Sequence, residues 1–325
     1  LSWYTMEGEA KRDYPASILH QSTWWREYKH VEEYFARIGV VMSQGRPCCE
    51  VLVINPVESV WCQVYPGWSQ TLMALSPEVQ DLEYKYRDIF HWLTGSHIDF
   101  DYGDEEMMAR LSKVESKEDK TPVLRIGEAT YKIVIVAGLL TIRSSTLRIL
   151  NEFIEAGGTV IFAGEIPSYV DALESKQAFV TEMKAICVPF TKECVIKTCL
   201  DRLENVIQLL DAEKGETSEN ILVRMVEDGS CKYVFAINTD RERSSGSIKI
   251  RIRSDGFVEE WLCFTGERFY IGEAQGNGVL EINTSFAPAG EHLFVIKPER
   301  DFSVPAMPRR KRKCDINWKV RINMN

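Results

Sequence analysis

The sequence predicts a chain in two parts, an open parallel α/β sheet over roughly residues 46–190 and then an antiparallel β-sandwich. Three observations carry this. Strands and helices alternate through the first part, short strands separated by turn dipeptides fill the second, and 325 residues suit about two domains. At 45% hydrophobic and 27% charged residues, the composition is that of a globular protein and excludes collagen, coiled coil and disorder.

The elements follow in order. Residues 1–22 have no clean period and read as a terminal strand with an irregular connection. From Trp24 the apolar residues Tyr28, Val31, Phe35, Ile38 and Met42 recur at helical spacing, so an amphipathic helix is expected to bury Trp24 against the parallel sheet. Trp25, about 100° around that helix, should point away. Gly45 closes the helix, and Glu50-Val-Leu-Val-Ile-Asn-Pro56 reads as a strand buried on both faces. Ser76-Pro77-Glu78 is a helix start with its stripe on Val79, Leu82, Tyr86, Ile89 and Leu93.

His97–Gly103 is expected as strand and turn, Asp104–Leu111 as a helix with acids in its first turn, and Lys113–Lys120 as a charged loop. Strands at Tyr131–Gly138 and Thr159–Gly164 flank a helix over Ser144–Ala156. This alternation describes a flavodoxin-like open sheet. After a helix near Leu200–Leu209, strands are expected near 221–226, 232–238, 247–253, 257–261, 278–283 and 292–296. Asp228-Gly229, Asp255-Gly256 and Gly276-Asn277-Gly278 separate them as turns. The chain opens on Leu1 without an initiator Met and stops inside the alternating run that begins at Trp318, so an internal piece of a longer polypeptide is expected.

Charge and cysteine usage narrow the function classes. Thirty-nine Lys and Arg against 48 Asp and Glu leave a net charge of −9, which lacks the positive field of a nucleic-acid binder. The longest apolar run, Ile133–Leu140, is far short of the ~18–20 residues of a membrane span. Nine cysteines contain no Cys-x-x-Cys pair, which argues against zinc and leans to a reducing, cytoplasmic compartment.

The sheet invites two enzyme readings, and the residues support neither. Ala137-Gly138-Leu139 and Ala163-Gly164-Glu165 lack the G-x-G-x-x-G spacing of a dinucleotide site, so no cofactor is expected. A glutamine-amidotransferase-type thiol site needs a nucleophile on the strand-to-helix turn, and Gly138-Leu-Leu-Thr-Ile-Arg143 offers no Cys or Ser there. No catalytic residue is assigned. Asp99, Asp101 and Asp104, with Glu105 and Glu106, could hold a hard cation at a strand's carboxyl edge, or simply start a helix facing water. Ser144-Ser145-Thr146 beside Arg143 could hold an anion or only cap a helix.

Residues 1–25 interleave aromatics and charges (Trp3, Tyr4, Glu7, Glu9, Lys11, Arg12, Asp13, Tyr14, Trp24, Trp25), which suits either a sugar surface or an interdomain joint. The basic run Arg309–Lys313 reads as a solvated linker or a phosphate patch.

The segment GEAKRDYPASILHQSTWWREYKHVEEYFARIGVVMSQG resembles the stretch after the catalytic barrel of large bacterial glycoside hydrolases, α-L-rhamnosidase-like or β-galactosidase-like. So do VLVINPVESVW, HIDFDYGDEEMMARL, RSSTLRILNEFIEAGGTVIFAGEIPSYVDA and, in the second part, EEWLCFTGERF with INTSFAPAGEHLFVI. The resemblance implies a class I glutamine-amidotransferase-like α/β domain over 23–205 and a β-sandwich over 206–298. It also implies the tail of a barrel over 1–22, and a linker with the first strand of a sugar-binding β domain over 299–325. By the same resemblance Trp3, Tyr4, Lys11, Arg12 and Asp13 contact substrate in the full-length enzyme; Trp25 joins them as a candidate because its helical position turns it toward the preceding barrel or solvent. The implied function is a non-catalytic accessory portion of a hydrolase of plant or microbial glycans, with carbohydrate as partner and a homo-oligomer compatible. The alternative is a stand-alone carbohydrate-binding or interaction module. Flanking sequence discriminates them, because only the first reading requires a barrel with two carboxylates upstream.

Overall fold

The computed structural model describes residues 23–64, 76–174, 184–203, 207–274 and 278–308. Helix α1 (Tyr28–Met42) leads through β1 (Arg46–Pro47) to β2 (Val51–Ile54), α2 (Val57–Trp61), α3 (Pro77–Gly95) and β3 (Phe100–Gly103). Helix α4 (Glu105–Leu111) then precedes a meander of β4 (Ser112–Ser116), β5 (Pro122–Ile126) and β6 (Ala129–Tyr131). Next come β7 (Ile133–Ala137), β8 (Thr141–Ile142), α5 (Ser144–Glu155) and β9 (Thr159–Ala163). They are followed by β10 (Tyr169–Val170), β11 (Leu173–Glu174), β12 (Ile186–Val188) and α6 (Lys192–Leu200). From here the elements are strands: β13 (Gln208–Asp211), β14 (Ile221–Asp228), β15 (Cys231–Asn238) and β16 (Ile248–Ile252). The last four are β17 (Gly256–Trp261), β18 (Arg268–Ala274), β19 (Leu280–Thr284) and β20 (Glu291–Lys297).

The fold class differs from the sequence expectation. The largest sheet is a six-stranded antiparallel one, β1-β14-β15-β20-β17-β18, and most pairings in the chain are antiparallel. Apart from the two-residue β8–β10 ladder, parallel pairing between strands is confined to the five-stranded sheet β12-β9-β7-β2-β3. A flavodoxin-like, glutamine-amidotransferase-like class is therefore not the class of this chain. The expectation failed by omission, because β1, β13 and the meander β4–β6 are short or charged, carry little hydrophobic period and add antiparallel pairing. The charged segment expected as a loop at Lys113–Lys120 contributes β4 to the antiparallel meander. The helix expected near Leu200–Leu209 ends at Leu200, and β13 occupies Gln208–Asp211.

Each sheet is buried for a legible reason. Residues 51–54 and 133–137 are apolar without alternation, so both faces of the parallel sheet are covered. One face packs Leu52, Val134, Val136 and Phe162 against Met108 of α4 and Leu150 and Phe153 of α5. The other packs Val51, Ile135 and Ile161 against Ile89 and Leu93 of α3 and Val195 of α6. Gly158 lies flat on the Phe153 ring, where a Cβ would sit 2.2 Å from Cε2. The six-stranded sheet and the three-stranded sheet β13-β16-β19 share a third core, built from Met225, Val234 and Phe294 on one side and Leu209, Ile250 and Ile282 on the other.

Helix α1 does not lie on the parallel sheet. Its Tyr34, Ile38 and Val41 pack on Leu293 and Trp261 of the six-stranded sheet and on Cys263 in the turn after β17, and β1 then pairs with β14. Gly45 makes this turn with φ +63°, and a Cβ there would stand 2.0 Å from the Glu227 carbonyl oxygen. Trp24 is 47% exposed, Val31 42% and Phe35 64%, so the predicted buried stripe is half uncovered.

Urea unfolding should separate the two kinds of position. Phe153→Ala should cost about 3–5 kcal/mol, because it empties a sealed site. Trp24→Ala should stay within ~1 kcal/mol, the range of surface substitutions.

Candidate functional site

Polar side chains converge at two places. The first is the carboxyl end of the parallel sheet, where the segments after β2, β3 and β7 meet. The Ser59 hydroxyl on α2, 1% exposed, accepts the N–H groups of Leu140 (3.0 Å) and Thr141 (3.2 Å) and donates to the Thr141 carbonyl (3.3 Å). Glu105, at the first position of α4, accepts the Arg143 N–H at 2.8 Å, and Asp171 accepts the Ser144 N–H at 3.0 Å. The Arg143 guanidinium donates through Nε to Glu58 at 2.6 Å. Burial raises the Glu105 carboxyl above its usual range, whereas the Ser144 bonds hold Asp171 below it.

The start of α5, one of the two anion sites considered from sequence, is thus filled by the chain's own carboxylates. The network fixes three loops relative to one another, and each of these groups is spent on positioning.

The second place is between the two antiparallel sheets. On β20, the His292 Nδ1 is 2.5 Å from Glu260 of β17. Its Nε2 is 3.1 Å from both the Thr284 hydroxyl and the Ser285 carbonyl oxygen. Thr–His–Glu at these distances has the outline of a nucleophile relay. The carbonyl of Ser285 can only accept, however, so Nε2 carries hydrogen, and the Glu260 carboxylate draws a second onto Nδ1. Burial opposes the charged ring, but the bonds to Glu260 and Ser285 and the charges of Glu260 and Glu291 outweigh it and raise the His292 pKa. A ring whose two nitrogens both face acceptors is poorly placed to take the Thr284 proton. This is a clamp between sheets.

Glu259, one residue before Glu260, faces the opposite side of the sheet at a β-bulge. There it accepts Lys297 Nζ (2.6 Å) and the Trp261 indole N–H (2.8 Å).

The acids considered for a metal do not come together. Asp99 precedes β3 and accepts the Phe100 N–H, and its buried Oδ2 has no partner among the described residues. Asp101 accepts the Tyr131 hydroxyl at 2.9 Å. Asp104 lies past the other end of the strand and caps α4 through the Met107 N–H. Of the three aspartates Asp104 alone is at the carboxyl edge, and no group of three metal-ligating side chains forms among the described residues. Trp25 is 43% exposed. Trp3, Tyr4, Lys11, Arg12 and Asp13 lie outside the described residues, as does Arg309–Lys313.

All eight described cysteines are free. Burial raises the Cys48 and Cys199 thiols to about 12 and Cys263 to about 11, far from nucleophilic. No helix among the described residues is long and apolar enough to cross a membrane.

Sequence reasoning missed Ser59, Glu260 and His292 as organising groups. Each is a single polar residue whose partners lie 7–82 positions away, so no local motif marks it.

No protein-family model matches the chain. A putative beta-glucuronidase of Formosa agariphila is 24% identical over 272 residues, which is 81% of this chain and 20% of that protein. The rhamnosidase of Novosphingobium sp. PP1Y superposes with a TM-score of 0.61 at 15% identity, over 91% of this chain and 27% of that one. A GH42 beta-galactosidase of G. stearothermophilus gives 0.52 at 13% identity, over 86% and 44%. The chain spans about a fifth of its curated relative, and the two structures show likeness of fold. In fold the chain is similar to parts of these glycoside hydrolases.

The His292 clamp predicts a pH dependence. Its folded pKa lies above the unfolded value of ~6.5, so its stabilisation is complete below pH ~6.5 and lost as pH rises through the raised value. In urea melts the advantage of the natural protein over His292→Asn should shrink with rising pH across that window. An advantage that grows with pH would show that the ring is held neutral.

Proposed function

We propose that the chain is a non-catalytic accessory portion of a multidomain glycoside hydrolase acting on plant or microbial glycans, placed after its catalytic barrel. Residues 1–22 would be the tail of that barrel, 23–205 and 206–298 two structural units, and 299–325 the approach to a further β domain. The observation that carries the proposal is the use of the buried glutamates among the described residues. Glycosidases turn over substrate with two carboxyl groups facing one cleft, about 5–9.5 Å apart. Here Glu105 is bonded to the Arg143 N–H, Glu260 to His292 and Glu259 to Lys297. Glu259 and Glu260 are the nearest to a pair in sequence, and they point to opposite faces of one sheet. The chain also corresponds to only a fifth of the putative beta-glucuronidase it resembles.

The chain alone, assayed with p-nitrophenyl α-L-rhamnoside, β-D-galactoside and β-D-glucuronide, should release nitrophenol no faster than buffer. Turnover that Glu260→Gln or Glu105→Gln removes would overturn the reading.

A further inference from the structure

One surface has the chemistry of a ligand site and no role in the positioning networks. It is a groove between the segment after β2 and the start of α3, at the carboxyl end of β2, where open parallel sheets present ligands. Pro56, Val60 and Leu82 supply its apolar lining. At its end stands Tyr86, 40% exposed, stacked on Tyr102 of β3 at 4.5 Å between ring centroids and 20° between planes. The Tyr102 hydroxyl donates to the Tyr86 carbonyl at 3.3 Å, and Phe100 meets Tyr102 edge-on at 5.1 Å. The Tyr86 ring is therefore backed by a second ring and held by its own helix.

Two polar side chains line the same groove, the Asn55 amide and the Glu83 carboxylate. Among the described residues neither side chain has a hydrogen-bond or ion-pair partner, while the Asn55 backbone N–H is fixed on the Gly103 carbonyl at 2.9 Å.

We propose that this groove binds the ring of a neutral sugar; the proposal rests on the glycan-directed reading above. A pyranose presents C–H groups on one face and hydroxyls at its rim. The held Tyr86 ring takes the first, and the Glu83 carboxylate and Asn55 amide take the second, in the usual pattern of an apolar site with a few placed polar groups. The Glu83 charge also sets specificity: a uronate would bring a second carboxylate to a site without a paired cation among the described residues, so uronic acids are disfavoured.

The test is a titration of the full chain, followed by amide chemical shifts, with methyl α-L-rhamnoside, methyl β-D-galactoside and methyl β-D-glucuronide. One of the two neutral sugars should bind with Kd of order millimolar. Tyr86→Ala should weaken it roughly three- to tenfold, with Phe264→Ala, an exposed ring elsewhere, as the unaffected control. Glu83→Gln should reduce neutral-sugar binding and relieve the discrimination against the glucuronide, a readout that loss of folding would not produce. No shifts with either neutral sugar at about 50 mM, binding indifferent to Tyr86→Ala, or tighter binding of the glucuronide would each overturn the proposal. Hydrolysis of an aryl glycoside by the chain would overturn the accessory reading instead, and leaves binding at Tyr86 to be judged by these shifts.

Discussion

The structure depends on a buried polar joint at His97. A parallel sheet covered by helices and a pair of antiparallel sheets must share a boundary, and backbone groups there find no ladder partner from their own sheet. His97 follows α3 in the left-handed region at φ 60° and is 7% exposed. Its Nδ1 accepts the Leu209 N–H of β13 at 3.4 Å, and its Nε2–H donates to the Ser218 carbonyl at 3.2 Å. That pattern allows only the neutral ring, and burial lowers its pKa to about 4. Protonation would place a hydrogen against the Leu209 N–H. Lys192–Glu219 at 2.6 Å braces the same boundary from the surface.

The two buried imidazoles are set in opposite states by what faces them. His97 has a backbone donor on one nitrogen and stays neutral, whereas His292 has acceptors on both sides and holds its charge. Acidification therefore strains one joint while it firms the other. The first lies between the parallel sheet and the antiparallel region, the second between the two antiparallel sheets.

Much of the element order was legible in sequence. The uninterrupted apolar runs at 51–54 and 133–137, the Ser76-Pro77 start of α3 and the turn at Asp228-Gly229 all carry local chemistry that the structure uses. The class was not legible, because the short or charged strands β1, β4–β6 and β13, which shift the balance to antiparallel pairing, carry no clear hydrophobic period. The stripe on α1 shows the same limit: its period is helical, but the face that packs runs through Tyr34, Ile38 and Val41 rather than Trp24 and Phe35. The candidate sites were less legible still. Asp99 and Asp104 look adjacent in sequence, yet a strand carries them to opposite ends. Glu105, expected as a water-facing first-turn acid, is instead 2% exposed and holds a backbone amide 38 positions on.

The distribution of thiols makes the molecule its own reporter. Among the described cysteines only Cys62, after α2, and Cys187, on the edge strand β12, are exposed. Cys199 and Cys263 are sealed, the first against the parallel sheet and the second beneath α1. With Cys314, which lies outside the described residues, replaced by Ser, a maleimide donor and acceptor would attach first at Cys62 and Cys187, on separate elements of the parallel-sheet region. Slower uptake at Cys199 or Cys263 would then time the separate opening of each layer, so one alkylation course distinguishes breathing of the parallel sheet from lifting of the helix that precedes it.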